Sequence, residues 1–176
     1  MTANGSGDNG NIYFRARKAA AGYNKRLTSR DAASELLGYG ASTLAGYELG
    51  TVKTVPPEAV MMMADLYCAP ELRNQYCSLE CPIGKGSPIA TDVGSIDKIA
   101  VRLIKAQNSL DKAKADLIDI ASGPDITHDK LPLIVALLQC ADEMISPISE
   151  LKLMCQKVLA HHGVCISHSL NPERGI

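Results

Sequence analysis

The stretch from Ser29 to Gly50, SRDAASELLGYGASTLAGYELG, leaves the chain few conformations. Ser29 carries the short side-chain oxygen that caps a helix start, and the residues after it put Ala33, Leu36 and Leu37 on one helical face. Gly38-Tyr39-Gly40 interrupts that spacing. Helical spacing resumes from Ala41 to Leu49, with Leu44 and Tyr47 three apart, and Gly50 stops it. Two short helices joined by a tight turn have the layout of a helix-turn-helix.

The rest of the chain also favours helices. Trp is absent, Phe14 is the only Phe, and β-branched runs are few, within an ordinary globular balance of 46% apolar and 21% charged residues. At 176 residues the chain can hold one ordinary domain or two small ones. Residues 1–10, rich in Gly, Asn, Ser and Asp, read as a disordered lead. From Asn11, the positions Ile12, Ala16, Ala19, Ala20 and Tyr23 form one face of a first helix. After the Ser29–Gly50 pair, Pro57 opens a fourth helix with Val60, Met63, Ala64 and Tyr67 on its face, and Met61 to Met63 read as core filler. A fifth runs from Glu71 to about Glu80, and Cys81-Pro82 ends it. Residues 11–82 thus form a five-helix unit.

Residues 83–94, IGKGSPIATDVG, have the composition of a linker. Beyond it Ile96, Ala100, Leu103, Gln107, Leu110, Lys114, Leu117 and Ala121 alternate four and three apart, a heptad seam. A second long helix is expected from about Lys130 to His162, with Ile134, Leu137, Leu138, Ala141, Met144, Ile145, Ile148, Leu151, Cys155 and Val158 as its stripe and a kink near Pro147. A hairpin of two such helices cannot enclose both stripes, so residues 95–162 are expected to pair with a second copy as a four-helix bundle, the alternative being a monomer whose hairpin packs back on its own N-terminal helices. Residues 163–176 read as a tail. The fold class is therefore all-α, a five-helix unit followed by a linker and a long, coiled-coil-like hairpin.

Three segments, RKAAAGYNKRLTSRDAASELLG, LAGYELGTVKTVPPEAVMMMADLY and APELRNQYCSLECPIG, resemble the Cro/CI-type (XRE) helix-turn-helix transcriptional regulators, in particular a set found in Firmicutes and their mobile elements. Tyr47-Glu48-Leu49-Gly50 sits where that class commonly has Tyr-Glu-x-Gly, and the likeness extends over nearly the whole chain. The resemblance implies a bacterial, cytoplasmic DNA-binding regulator, a repressor by default, whose partners are double-stranded DNA and a second copy of itself. Its second motif helix would enter the major groove by its N-terminal end, bringing Gly40, Ala41, Ser42, Thr43, Ala45 and Gly46 near the bases. Arg30 at the start of the first motif helix, and Thr51 and Lys53 in the following loop, would meet phosphates, with Lys25 and Arg26 extending the set. Glu48 would pair with Arg17 to lock the recognition helix.

Charge is consistent with such a head. The net charge is -1, but Asn11 to Lys53 carries seven basic and three acidic residues, a balance of +4, whereas Thr54 to Gly94 carries two against five, or -3. The recognition positions hold none of the strong base readers, Arg for guanine or Asn and Gln for adenine, so sequence discrimination is expected to be modest. The alternative is a protein-interaction scaffold that keeps the fold and has lost specific DNA binding.

No apolar run approaches 18 residues and the N-terminus lacks a signal-peptide pattern, so the protein is expected in the cytosol and without a membrane anchor. Its six cysteines are then expected as reduced thiols. Cys77 and Cys81, with Cys68 upstream, and the group His161, His162, Cys165 and His168 have ligand chemistry without a paired CxxC spacing, so neither a metal nor another cofactor is expected. There is no phosphate-binding glycine loop, nucleophile elbow or HExxH, so the chain is not expected to be an enzyme, and no small-molecule ligand is inferred.

Overall fold

The computed structural model describes residues 10–122, 125 and 127–164. Among them the regular structure is entirely helical, with seven α-helices and no strand. The chain divides into two units, Met1–Lys85 together with Gln156–Ile176, and Gly86–Cys155.

The first unit holds α1 (Ile12–Ala20), α2 (Arg30–Leu37), α3 (Ala41–Leu49), α4 (Pro57–Leu66) and α5 (Glu71–Leu79). A 3-10 turn at Lys25–Thr28 links α1 to α2. Local chemistry sets the helix ends. The Ser29 hydroxyl accepts the Asp31 amide, and α2 and α3 both close on a glycine in the left-handed region, Gly38 at φ 70° and Gly50 at φ 68°. Helix α2 packs on α3 and α4, α4 on α5, and α1 on α3 and α5. The shared core includes Tyr13, Leu27, Leu37, Leu44, Met63 and Leu72. The face predicted for α4 is the buried one, although Met61 and Met62 point outward and only Met63 fills the core.

The predicted face of α1 is corrected. Ala16 and Ala20 are buried as expected, but Tyr23 is 60% exposed and Ala19 is exposed, while Tyr13 and Arg17 turn inward. The reason is Arg17, whose guanidinium has a partner in the core and rotates the helix toward it.

The second unit holds α6 (Ile96–Ala121) and α7 as far as Cys155; α7 as a whole spans Leu131–His161 and passes through Pro147 without a break. The two run antiparallel. Arg102 bonds Ser146 and Glu150, Ser109 bonds Glu143, and Lys130 bonds the Asp119 carbonyl, so residue numbers on the two helices rise in opposite directions. Glu150, only 6% exposed, also accepts the Gly94 amide, and Ser149 accepts that of Ala90. The later part of the expected linker is therefore held against α7.

The seam of α6 is also corrected. Its buried residues are Ile99, Ala106 and Ala113, spaced by seven, whereas Ile96, Leu110 and Leu117 of the expected stripe are 55%, 37% and 52% exposed. Ala106 and Ala113 occupy buried positions of α6, Cys140, Pro147 and Leu153 are the buried apolar positions of α7, and Ile96, Leu110 and Leu117 are left outside. By length and composition, His128–His161 is apolar enough to cross a membrane, with a mean hydropathy of 1.5 over its best window and 11% of that window buried.

Candidate nucleic-acid interface

The centre of the first unit is a buried ion cluster. Arg17 comes from α1 and is 2% exposed; Glu48 comes from the last turn of α3 and is 0% exposed. Arg17 grips the carboxylate with two nitrogens, Nε to Oε1 at 2.5 Å and Nη2 to Oε2 at 2.8 Å. Its Nη1 donates to the carbonyls of Leu27 and Thr28, tying in the turn before α2. Arg30, at the start of α2, donates from Nε to Glu48 Oε2 at 2.8 Å. One carboxylate therefore gathers α1, α2 and α3. Burial alone would raise the Glu48 pKa, but the hydrogen bonds from Arg17 and Arg30 and their positive charges outweigh burial and hold it below its ordinary value.

Arg17 and Glu48 are thus together as the sequence led one to expect. Arg30 has a second attachment that the sequence reading did not anticipate, because part of its guanidinium faces Glu48 while its side chain stays 29% exposed.

Of the base-side positions, Ser42 is exposed and Ala41, Thr43 and Ala45 are half-buried. Gly46 is a correction, being buried. A Cβ there would lie 2.9 Å from Val52 Cγ2, and its carbonyl accepts the amides of Thr51 and Val52 and the Thr51 hydroxyl. The glycine seats the following loop on α3 instead of opening the helix to an approaching backbone. Thr51 and Lys53 are exposed on that loop, and Lys25 and Arg26 are exposed on the 3-10 turn. Arg26 lies 4.0 Å from Glu35 with both side chains largely in solvent, a pair of little energetic weight.

Two supporting groups escaped the sequence reading. The Asn11 side chain caps α1 by accepting the Tyr13 and Phe14 amides and also donates to the Tyr47 carbonyl at 2.9 Å, joining the start of α1 to the end of α3. An asparagine before an amphipathic run is a recognisable cap signal. Tyr13 donates its hydroxyl to Glu80 Oε1 at 2.7 Å, and Glu80 Oε2 accepts the Val55 amide at 3.3 Å. Burial, then the bond to Glu80 and its charge, push the Tyr13 phenol well above its ordinary value, so it remains a donor. No sequence signal pairs residues 67 apart.

Among the described residues no group of three or more His, Cys, Asp and Glu side chains is placed to hold a metal. Cys77, Cys81, Cys140 and Cys155 are free thiols, whereas Cys68 is disulfide-bonded, which corrects the expectation of wholly reduced cysteines. The rings of His161 and His162 stack edge-on at 5.9 Å, and Cys165 and His168 lie outside the described residues.

Compared with known proteins, the chain matches no family model, and neither a curated protein nor a solved structure matches it significantly. What the fold and site define is an all-helical protein with a charge-locked, three-helix centre beside an exposed, partly basic loop.

Proposed function

We infer that the chain is a DNA-binding transcriptional regulator of the Cro/CI type, a repressor by default, in which α2 and α3 act as a helix-turn-helix and residues 95–162 join two copies. The observation that carries this reading is the locking of α3. Its inner face is fixed by the Arg17–Glu48–Arg30 cluster, while Ser42 at its N-terminal end and Thr51 and Lys53 just beyond its C-terminal end remain outside. A rigid helix with a polar tip and flanking phosphate-seeking groups is the arrangement major-groove reading requires. Affinity in this reading comes mainly from the backbone contacts.

The uncovered stripe supports pairing of two copies. Among its described residues the second unit leaves eleven large apolar side chains exposed, and Leu103, Ile104, Gln107, Leu110, Met144 and Ile148 line an open groove of about 280 Å³. Covering the free half of each side chain contributes about 1 kcal/mol, so two protomers gain at most roughly 20 kcal/mol. That exceeds the roughly 4–15 kcal/mol that association costs. A bilayer is a poorer match for the same surface. Asp142 and Glu143 sit at the middle of the apolar helix, where an aspartate costs roughly 2.5–3.5 kcal/mol in a membrane.

Fluorescence anisotropy of the full chain with the DNA upstream of its own coding sequence, over several salt concentrations, tests the reading. Binding should weaken steeply with salt, and Arg30→Ala and Lys53→Ala should each reduce the slope by about one unit. No binding at low salt would favour the interaction scaffold.

A further inference from the structure

We propose that Glu80 is a positioning residue for the loop that carries Thr51 and Lys53. The inference rests on the reading of that loop as a phosphate-contacting segment. The loop leaves α3 at Gly50 and re-enters the core at Val55, which is 3% exposed. Its near end is secured on α3, where the Gly46 carbonyl receives the Thr51 and Val52 amides. Its far end is secured by a residue 25 positions away in sequence. Glu80, at the end of α5, takes the Val55 amide on one carboxylate oxygen and the Tyr13 hydroxyl on the other.

The geometry makes the carboxylate a bridge with both ends occupied. Tyr13 is 2% exposed and fixed in the core by α1, so it holds the carboxylate still, and the carboxylate in turn fixes the Val55 amide. Lys53 lies two residues before that anchor. Release of Val55 would free up to about 7 Å of chain between the anchor and Lys53, more than enough to move an ammonium out of reach of one phosphate. Glu80 touches no DNA in this scheme; it acts through Val55 on the place where Lys53 is presented.

A double-mutant cycle on the full chain decides the matter, with Glu80→Ala, Lys53→Ala and both together titrated against the same upstream DNA at several salt concentrations. Glu80→Ala should weaken binding about three- to tenfold and flatten the salt slope, and the double variant should bind no more weakly than Lys53→Ala. Glu80→Gln, which keeps an acceptor for Val55 and an amide that can face the Tyr13 oxygen, should restore most of the affinity. Amide exchange supplies a readout that needs no DNA. Exchange should quicken at Val55 in Glu80→Ala while the amides of α2 and α3 keep their rates. Multiplicative losses in the cycle, or exchange that quickens equally throughout the unit, would overturn the positioning role. Absence of binding by the unaltered chain would overturn the functional reading instead, and the exchange measurement would still decide whether Glu80 holds the loop.

Discussion

Replacing Arg17 by Met tests the ion cluster most sharply, because the new side chain nearly fills the space and removes only the charge and its donors. Glu48 is 0% exposed and would lose both of its bonds to Arg17, keeping the Arg30 contact at 2.8 Å. Breaking a buried pair by removing one partner costs roughly 3–5 kcal/mol, and the remaining Arg30 bond places this case near the lower end. The carbonyl of Leu27, itself a fully buried residue, also loses its donor, which adds about 1–3 kcal/mol. A total of about 4–6 kcal/mol is therefore expected from urea unfolding near neutral pH. The double variant Arg17→Met, Glu48→Leu removes both of the charges buried at the centre of the cluster. It should return to within about 2 kcal/mol of the unaltered protein. A cost under about 1 kcal/mol for the single variant, or additive costs in the double, would refute the argument. The acid limb gives a second check. Glu48 has a folded pKa below its ordinary value of about 4.5, so its contribution is fully present above about that pH and is lost as pH falls through the lower folded value. The double variant should show a shallower loss of stability below about pH 4.5.

The packing of Gly46 predicts a change of sign. Gly46→Ala gains about 1 kcal/mol of helix propensity but drives a methyl to 2.9 Å from Val52 Cγ2, and such overpacking costs roughly 1–3 kcal/mol, so thermal melting should show no gain or a loss. In a Val52→Ala background the same change should stabilise by about 0.5–1 kcal/mol, and an identical effect in both backgrounds would contradict the contact. In the second unit, Leu110→Glu places a charge beside the open groove and should shift the light-scattering mass from two chains toward one at micromolar concentration while helicity by circular dichroism is retained.

The sequence was most informative where local chemistry decides structure. Ser29, Gly38 and Gly50 cap or close α2 and α3 where their residue types indicate, and Pro57 begins α4. It was less informative where a neighbour decides. Arg17 reads as a surface residue until Glu48 is brought beside it, so the face of α1 was drawn too far toward Tyr23. The resemblance supplied that ion pair, whereas apolar spacing alone did not. For α6, a heptad pattern names a stripe without naming its partner. Ile96, Leu110 and Leu117 of that stripe stay exposed, and Ile99, Ala106 and Ala113 are the buried positions. Arg30 combines both lessons, since its position at the helix start was legible and its bond to Glu48 was not.

The central claim, a DNA-binding pair of chains, is tested most directly by the mass of the complex formed with the upstream duplex at low salt, measured by light scattering after size-exclusion chromatography. Two chains per duplex are expected, with the complex dissociating as salt is raised. Chain and duplex eluting separately at their own masses at low salt would contradict the account.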